Sequence, residues 1–401
     1  CACSDRLKVR EGGPFSGDDE GWLPRRPVDL ICWNLPYLEI ESDSERLGPL
    51  EEAGLLDARS RDEAMSCTDS LIQSILKAPQ ILNPAGIILL VHSDNSTGGN
   101  VPSSWLRAGW ASRVVRRRQL DGEQLMVTAV WRPFEGVKPE HMDVVTSTND
   151  LIVESSYPVG TMLTAKSQTE GRGQHGRVWK SLDGAFIGSW SIGIKSIKHG
   201  SERLQIGAAL AVADAVSAIL HEPLPSQCWK WTHRLLDRGV FIKWPNDLWI
   251  SNNGENGKIA GILAESRGKG DSTTIALGIG LNLQSSKQDA FPASSLSEVT
   301  DECLDRLEFS RILHASIASR FDEPSVLDSF SDDGVSISAW ELMRPLLNTA
   351  VELERGDLST PVEIVGLTDS AALLVRDNDG MVQSIDSTES LRWLGLHSTG
   401  S

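Results

Sequence analysis

The sequence predicts an α+β protein, and three observations indicate this class. Stretches with helical spacing of apolar residues, such as Leu204–Leu220, lie between short segments in which apolar residues alternate as they do in strands. From about Ala350 onward the pattern changes to short alternating strands alone. The hydrophobic fraction of 40% and the aromatic fraction of 6% are typical of globular folds, and 401 residues are enough for two or three domains.

The net charge and the cysteine content argue against several classes of function. The formal net charge of -17 argues against a general affinity for nucleic acid, because phosphates need a basic surface. The six cysteines form no C-x-x-C pair, so we predict no zinc site, no disulfide framework and a cytoplasmic, reducing location. No apolar run approaches the ~20 residues of a membrane span, and no signal peptide is visible, so no membrane partner is predicted. Because the chain starts with Cys1, we expect its beginning to be missing.

The N-terminal elements follow in a simple order. Residues 1–27 are rich in Gly, Asp, Glu, Pro and Arg, which indicates a loop or the broken edge of a domain. Asp69–Leu82 has apolar residues at roughly helical spacing, Ile87–Val91 predicts a buried strand, and residues 119–131 predict a turn and a last strand. Before them, an apolar strand ends at a four-residue motif formed by Asn34, Leu35, Pro36 and Tyr37.

This motif resembles the Asn-Pro-Pro-Tyr motif of amino-methyltransferases, with Leu35 in place of the first proline. Taken alone, the four residues are better explained by a strand that is followed by a proline turn. The helix, strand and hairpin that follow resemble the C-terminal half of a Rossmann-like, HemK-like release-factor glutamine methyltransferase. The glycine-rich turn that holds S-adenosylmethionine in that family is absent from residues 1–27. S-adenosylmethionine is therefore predicted as a cofactor only if a missing N-terminal part exists.

The central region alternates strands and helices. Met142–Val145 predicts a short strand, and the Ser, Thr and Asn residues that follow it are good helix caps or partners for a small polar ligand. Met162–Ala165 and Ala185–Ile194 predict strands, and the Ala-rich Leu204–Leu220 predicts a buried helix. Val240–Lys243 predicts a strand that is ended by the sequence Trp-Pro-Asn-Asp.

The last third begins with a predicted hairpin between Lys258–Glu265 and Thr273–Leu283. Ser310–Phe321 predicts a helix. Beyond Ala350, four short alternating strands are separated by turn signals such as Asn-Asp-Gly380. A small barrel is the simplest closure for them, because a barrel removes the sheet edges.

The segment from Gln168 to Trp179 carries the first chemical signal. Glycines at 171, 173 and 176 let the backbone approach a ligand closely, and Arg172 and Arg177 suit a phosphate or carboxylate, since a guanidinium pairs two oxygens at once. The G-x-G-x-x-G spacing by itself would suggest a dinucleotide site. No Val/Ile-rich strand precedes it and no helix clearly follows, so that interpretation is disfavoured.

Further motifs accompany this loop: Ser147-Thr148-Asn149 upstream, then Lys243–Leu248, Lys258–Glu265 and Gly278–Leu283 downstream. In this order and spacing the set closely resembles the catalytic domain of biotin protein ligases, from about Val144 to about Leu396. The resemblance implies a biotin/lipoate-ligase-like mixed sheet with helices and an SH3-like C-terminal barrel. The predicted domains are a partial methyltransferase-like segment at 1–134, a linker at 135–141, a catalytic domain at 142–345 and a barrel at 346–396.

Biotin protein ligases convert biotin and ATP to biotinyl-5′-AMP and then transfer biotin to a lysine of the biotin carboxyl-carrier domain of a carboxylase. The resemblance implies that Arg172 and Lys258 are catalytic, with Lys258 on the carboxylate and then on the developing oxyanion. Mg²⁺ is implied with ATP near Asp247. Biotin contacts are implied for Ser147, Thr148, Asn149, Gln168, Gly171, Arg172 and Gly261. Nucleotide contacts are implied for Gly173, Gln174, Arg177, Trp179, Asn246, Asp247, Lys258 and Asn282.

One position departs from the family pattern, because many relatives carry arginine where this chain has Gln174. A neutral side chain there predicts weaker retention of the adenylate. Lys243 is predicted to be a structural or rim lysine, and Trp249 a core residue. Phe291 is the residue that we assign to the adenine pocket, as a guess.

The sequence is compatible with three candidate functions. They are a biotin protein ligase, a lipoate-type ligase of the same fold, and a bifunctional or mis-joined protein with a methyltransferase half. The sequence leaves open the carrier protein, the oligomeric state, a homodimer included, and whether the N-terminal join is biological.

Overall fold

The structure is a computed structural model. The part of the chain that it describes contains three sheets and seven α-helices. Within that part, no helix is long and apolar enough to cross a lipid bilayer. Tyr37 and Phe291, two of the residues singled out above, lie outside the described residues. The described residues are 23–36, 66–93, 100–120, 123–155, 157–179, 183–193, 200–227, 233–252, 254–268, 273–284, 294–300, 305–324, 327, 335–355, 357–387 and 390–393.

The N-terminal sheet has four strands in the order β1-β2-β4-β3. Strands β1 and β2 are parallel, with helix α1 between them in the chain, and the other pairs are antiparallel. The predicted order of strand, helix, strand and hairpin is therefore present, whereas a Rossmann-like fold is not confirmed. The elements are β1 (Val28–Asn34), α1 (Cys67–Lys77), β2 (Leu82–Ser93), α2 (Val101–Arg107), β3 (Ala111–Leu120) and β4 (Glu123–Trp131).

The central sheet is mixed, as predicted, with seven strands in the order β5-β6-β7-β11-β10-β9-β8. Only the pair β5–β6 is parallel among the described strands of this sheet. The predicted hairpin is present as β10–β11, with Arg267 opposite Thr274. The strands are β5 (Glu140–Val145), β6 (Met162–Gln168), β7 (Phe186–Ile192), β8 (Val240–Lys243), β9 (Asp247–Asn252), β10 (Glu255–Arg267) and β11 (Thr274–Leu281).

Helices cover this sheet, and the longest of them forms its core. Helix α4 is buried continuously from Leu204 to Ile219, which suits a helix that is apolar all round and confirms the buried helix predicted there. Ser316 of the next long helix donates to the Ala211 carbonyl at 2.7 Å, so the two helices also share a buried hydrogen bond. The helices are α3 (Thr148–Glu154), α4 (Ser201–Ile219), α5 (His233–Asp237), α6 (Arg306–Phe321) and α7 (Val335–Leu342).

The C-terminal sheet has five antiparallel strands in the order β15-β14-β13-β12-β16. Its edge strands β15 and β16 do not pair with each other among the residues described, so the predicted SH3-like barrel is not confirmed. The fifth strand was not predicted from the sequence, and it lies beside β12. The strands are β12 (Ala350–Arg355), β13 (Leu358–Leu367), β14 (Leu373–Arg376), β15 (Val382–Ile385) and β16 (Ser390–Trp393).

The N-terminal sheet is fastened to the helices of the central unit by a buried carboxylate. Asp322, just beyond α6, accepts through Oδ2 from Trp131 Nε1 at 2.9 Å and from the Phe134 N–H at 2.7 Å. Burial raises the pKa of the Asp322 carboxyl, and these two hydrogen bonds oppose the rise. Ser112 adds a third link, because its N–H donates to Ser319 Oγ at 2.9 Å. The segment predicted as a linker thus begins where the two units are hydrogen-bonded to each other.

The Asp322 contacts predict how strongly the two units depend on each other. Asp322→Ala leaves the Trp131 and Phe134 donors buried without an acceptor, which costs about 1–3 kcal/mol of unfolding free energy. Asp322→Asn is the matched control, because its amide oxygen still accepts both bonds and no charge is buried. Denaturant melts should show the alanine variant less stable and the asparagine variant within about 1 kcal/mol of wild type. Equal losses in the two variants would mean that the acceptor does not join the units.

Candidate functional site

The glycine-rich loop forms a tight hairpin rather than the start of a helix. Its two arms are joined by the Trp179 N–H, which donates to the Gly171 carbonyl at 2.9 Å, and by the Gly173 N–H, which donates to the Arg177 carbonyl at 2.7 Å. A single 3₁₀ turn at Gln174–Gly176 closes the tip. With no α-helix after the glycines, the dinucleotide interpretation stays disfavoured.

Three glycines keep one face of the central sheet open beneath this hairpin. Gly261 of β10 lies opposite Gly280 of β11, and Gly278 lies two residues along β11. A Cβ on Gly280 would lie 2.5 Å from the Trp179 ring, and one on Gly278 would lie 2.5 Å from Asn149 Oδ1. Side chains of Trp179 and Asn149 can therefore rest on the sheet only because these positions lack a Cβ. We call Gly261, Gly278 and Gly280 the glycine floor.

A buried polar network lies at one end of the floor. Ser147 caps α3, as its residue type predicted. The Thr148 N–H and hydroxyl donate to Gln168 Oε1 at 2.7 and 3.1 Å. Ser189 Oγ lies 2.6 Å from both Thr148 Oγ1 and Asn149 Oδ1, so its single hydroxyl hydrogen has two acceptors within reach. The structure thus brings four of the predicted biotin contacts together, and Ser189 joins them without having been predicted.

Arg172 is held at this same end by two carboxylates. It donates to both oxygens of Asp150, one of them at 2.7 Å, and to both oxygens of Glu265 at 3.1 and 3.2 Å. The guanidinium holds the pKa of the Asp150 carboxyl below its ordinary value. Glu265 also accepts from Asn149 Nδ2 at 2.7 Å, which links the ion pairs to the polar network. The predicted catalytic arginine is therefore fully engaged within the protein.

Lys258 lies at the other end of the floor. Its Nζ is 2.6 Å from Asp247 Oδ1 and 5.3 Å from the centre of the Trp179 ring. Both charged side chains are largely buried, with 24% of Lys258 and 14% of Asp247 exposed. Gly261 and Glu265 are four residues apart on β10, which corresponds to roughly 13 Å along a strand. The structure therefore places Arg172 and Lys258 at opposite ends of the floor and does not bring them together.

Three residues predicted to contact the nucleotide donate hydrogen bonds from their side-chain amides to other groups of the protein. Asn246 Nδ2 donates to the Ile262 carbonyl at 2.6 Å. Asn282 Nδ2 donates to the Ser294 carbonyl at 3.1 Å, and Gln174 Nε2 donates to Gln205 Oε1 of α4 at 2.6 Å. Both asparagines are buried, so they hold the backbone around the floor, whereas Gln174 ties the tip of the hairpin to a core helix.

The methyltransferase-like motif is only partly described. Asn34 is exposed at the end of β1, and Leu35 is buried, with its N–H donating to the Val91 carbonyl at 2.9 Å. Tyr37 lies outside the described residues. These positions are compatible with a strand end and carry no ligand contact.

Several residues of the site were not predicted from the sequence. Gly278 and Gly280 had a usable signal, because residues two apart on a strand share a face. Asp150 and Glu265 had none, since each pairs with Arg172, across 22 and 93 positions, only in the folded chain.

Comparisons with known proteins find relatives in one family. Residues 141–282 match the biotin/lipoate A/B protein ligase family. A biotin–acetyl-CoA-carboxylase ligase of Paracoccus denitrificans is 30% identical over 223 residues, which is 54% of this chain and 84% of that protein. The bifunctional ligase/repressor BirA of Escherichia coli (strain K12) is 27% identical over 255 residues, or 60% of this chain and 70% of that protein.

Solved structures share the fold. One of them is a biotin protein ligase from Aquifex aeolicus in complex with biotin and ATP, with a TM-score of 0.51 and 24% identity. The match covers 64% of this chain and 99% of that one. At this identity the similarity concerns the fold alone.

The ion pairs of Arg172 predict a closed hairpin that one substitution should loosen. Asp150→Asn removes one charged acceptor at unchanged size, so trypsin should cut after Arg172 and Arg177 several times faster. The unfolding free energy should change by less than about 1 kcal/mol, because partly exposed ion pairs contribute little. Asp143→Asn is the matched control, because Asp143 pairs with Lys166 in an exposed position away from the loop. Equal cleavage rates in the two variants would show that Asp150 does not hold the hairpin.

Proposed function

The chain belongs to the biotin/lipoate A/B protein ligase family, and we propose that it is an ATP-dependent biotin protein ligase. In the first step a carboxylate oxygen of biotin attacks the α-phosphorus of ATP, and pyrophosphate leaves. In the second step the amine of a carrier lysine attacks the acyl carbon of biotinyl-5′-AMP, and AMP leaves. The relative named a biotin–acetyl-CoA-carboxylase ligase supports a carboxylase carrier domain as the acceptor.

One observation carries the proposal, and it is the glycine floor with a polar network at one end and Lys258 at the other. The ureido ring of biotin needs hydrogen-bond partners, and its valeryl chain ends in a carboxylate. We place the ring at Thr148 and Gln168 and the carboxylate at Lys258, at the other end of the glycine floor. A cation at the reacting carboxylate stabilises the charge that develops there.

The same network favours biotin over lipoate. Lipoate has a dithiolane ring with no strong hydrogen-bonding group, so it would leave Thr148, Gln168 and Ser189 with poorer partners. A site built to hydrogen-bond a ring discriminates against an analogue that lacks the polar groups. The lipoate-type alternative is therefore disfavoured on chemistry as well as on motifs.

Arg172 would act only after leaving its two carboxylates. An anionic ligand competes with Asp150 and Glu265 for the guanidinium, because the planar fork pairs one carboxylate or phosphate at a time. With Arg172 on the ligand instead, the hairpin would lie over the adenylate, exclude water and limit hydrolysis of the acyl phosphate. With ligand bound, Arg172 would thus hold the biotin carboxylate and the α-phosphate. Without ligand, it would hold the loop through Asp150 and Glu265.

The nucleotide is placed at the Lys258 end, beside Gly173, Arg177 and Trp179. Mg²⁺ is usually bound through one or two carboxylates plus substrate phosphates, and the largely buried Asp247 beside Lys258 fits that requirement. When bound, the ion would neutralise phosphate charge. Asp247 would hold it, and Lys258 would remain free to turn toward the biotin carboxylate.

The remaining parts of the proposal concern organisation. We keep the units 1–134, 142–345 and 346–396 as proposed domains and the cytoplasm as the place of action. A separate proposal is that 1–134 derive from a glutamine methyltransferase, supported by exposed Asn34 and by the parallel pair and hairpin of its sheet. Residues 1–27 contain no glycine-rich turn for S-adenosylmethionine, so no methyl transfer is assigned to this chain.

The proposal predicts biotin-dependent exchange of pyrophosphate into ATP, with little exchange when lipoate replaces biotin. Lys258→Ala should lower the exchange rate roughly a hundredfold, because one such electrostatic donor is worth about 3 kcal/mol. Lys166→Ala is the matched control, because this lysine pairs with Asp143 in an exposed position and should leave the rate unchanged. Faster exchange with lipoate than with biotin would overturn the substrate, and a full rate in folded Lys258→Ala protein would remove Lys258 from the mechanism.

A further inference from the structure

Gln205 is a polar residue within the core helix of the central unit. It belongs to the stretch of α4 that is buried continuously from Leu204 to Ile219, and only 6% of it is exposed. A buried amide is costly unless it is hydrogen-bonded, so its partners explain its place in an Ala-rich helix. Its Oε1 accepts from Gln174 Nε2 at 2.6 Å, and its Nε2 donates to Ser387 Oγ at 3.5 Å. The first contact is much the shorter, and it reaches the tip of the glycine-rich hairpin.

The hairpin is attached to the rest of the protein by two contacts of different chemistry. Arg172 pairs with the carboxylates of Asp150 and Glu265. Two residues later, Gln174 donates to Gln205 of α4. An anionic ligand competes for a guanidinium, whereas it has no charge to pair with in a bond between two neutral amides. The amide contact can therefore remain in place while Arg172 turns from its carboxylates to a ligand.

The amide contact holds the part of the hairpin whose backbone is freest to move. Gln174 lies between Gly173 and Gly176, and Gly176 has a positive φ of 73°. Glycines leave a backbone many conformations, so a tip that contains them opens easily unless something holds it. Gln174 is half-buried in this structure, and its bond to the core helix is partly shielded from water. One hydrogen bond at this point thus restrains the whole tip.

We propose that Gln205 is a positioning residue that latches the tip of the hairpin over the bound adenylate, through the amide of Gln174. The inference rests on the proposed function, and it adds that the adenylate is retained by a neutral latch as well as by charge. The arginine that the family pattern has at position 174 would hold the adenylate by its charge. The amide pair gives this chain a form of retention that needs no charge. Gln205 touches no substrate and acts through Gln174.

The first test follows the release of labelled biotinyl-5′-AMP that has been formed on the enzyme, during a chase with unlabelled adenylate. Gln205→Leu keeps a similar size but accepts no hydrogen bond, so release should be about fivefold faster than in wild type. KM for biotin in the pyrophosphate exchange should stay close to that of wild type, because the ureido ring is placed at Thr148 and Gln168. Gln174→Met removes the other half of the bond without changing the core, and it should speed release equally.

Two comparisons separate a latch from a merely structural role. When Gln174→Met and Gln205→Leu are combined, release should be no faster than with either alone, because both remove the same bond. Ser316→Ala is the matched control, because it removes a buried hydrogen bond to Ala211, about 9 Å further along α4. It should lower Tm about as much as Gln205→Leu and leave release at the wild-type rate. Unchanged release in Gln205→Leu, additive increases in the double variant, or an equal increase in Ser316→Ala would overturn the inference.

The second test needs neither ligand nor activity. In the free protein, trypsin should cut after Arg172 and Arg177 about fivefold faster in Gln205→Leu than in Ser316→Ala, because the tip opens more often once its bond is lost. Equal cleavage rates in these two variants would show that Gln205 does not hold the hairpin. Absence of biotin-dependent exchange in wild type would instead overturn the proposed function, so the two failures are distinguishable.

Discussion

The lack of a Cβ on Gly278 and Gly280 is the constraint on which the site depends. With any other residue at these positions, Asn149 and Trp179 would have to leave the sheet face, because the added carbon would lie 2.5 Å from each of them. The floor that results is flanked by Lys258 at one end and by the Arg172 ion pairs at the other. An elongated ligand with a polar head and an anionic tail matches this arrangement.

Charge is distributed unevenly along the floor. At the Arg172 end one cation pairs with two carboxylates, whereas at the other end Lys258 pairs with Asp247, and the positive charges of Lys258 and Arg177 act on Lys243. We propose that a phosphate chain binds at the Lys258 end, where it would relieve like-charge repulsion. At the Arg172 end, the ion pairs tie the hairpin to Asp150 of α3 and to Glu265 of β10. Trp393 of the C-terminal sheet packs on the Lys243 ammonium group, which lies at the Lys258 end.

Local patterns in the sequence predicted much of this molecule. The burial of α4, the β10–β11 hairpin and the cap at Ser147 follow from periodicity and residue type, and each is present. Pairings that depend on long-range packing could not be predicted. Strand β16 ends with Trp393, whose ring packs against the ammonium group of Lys243. Lys243 lies 150 positions earlier in the chain, and no spacing rule links the two residues. The attachment of the N-terminal sheet through Asp322 is of the same kind.

Calorimetric titration with biotin of a Gly280→Ala variant tests the floor most directly. The added carbon displaces Trp179, so biotin should bind at least about tenfold more weakly, a loss of ~1.4 kcal/mol. Gly366→Ala in β13 is the matched control, because its Cβ would meet only the flexible end of Leu374 at 3.3 Å, and its affinity should equal that of wild type. Unchanged biotin affinity in a folded Gly280→Ala protein would contradict a ligand site on the glycine floor.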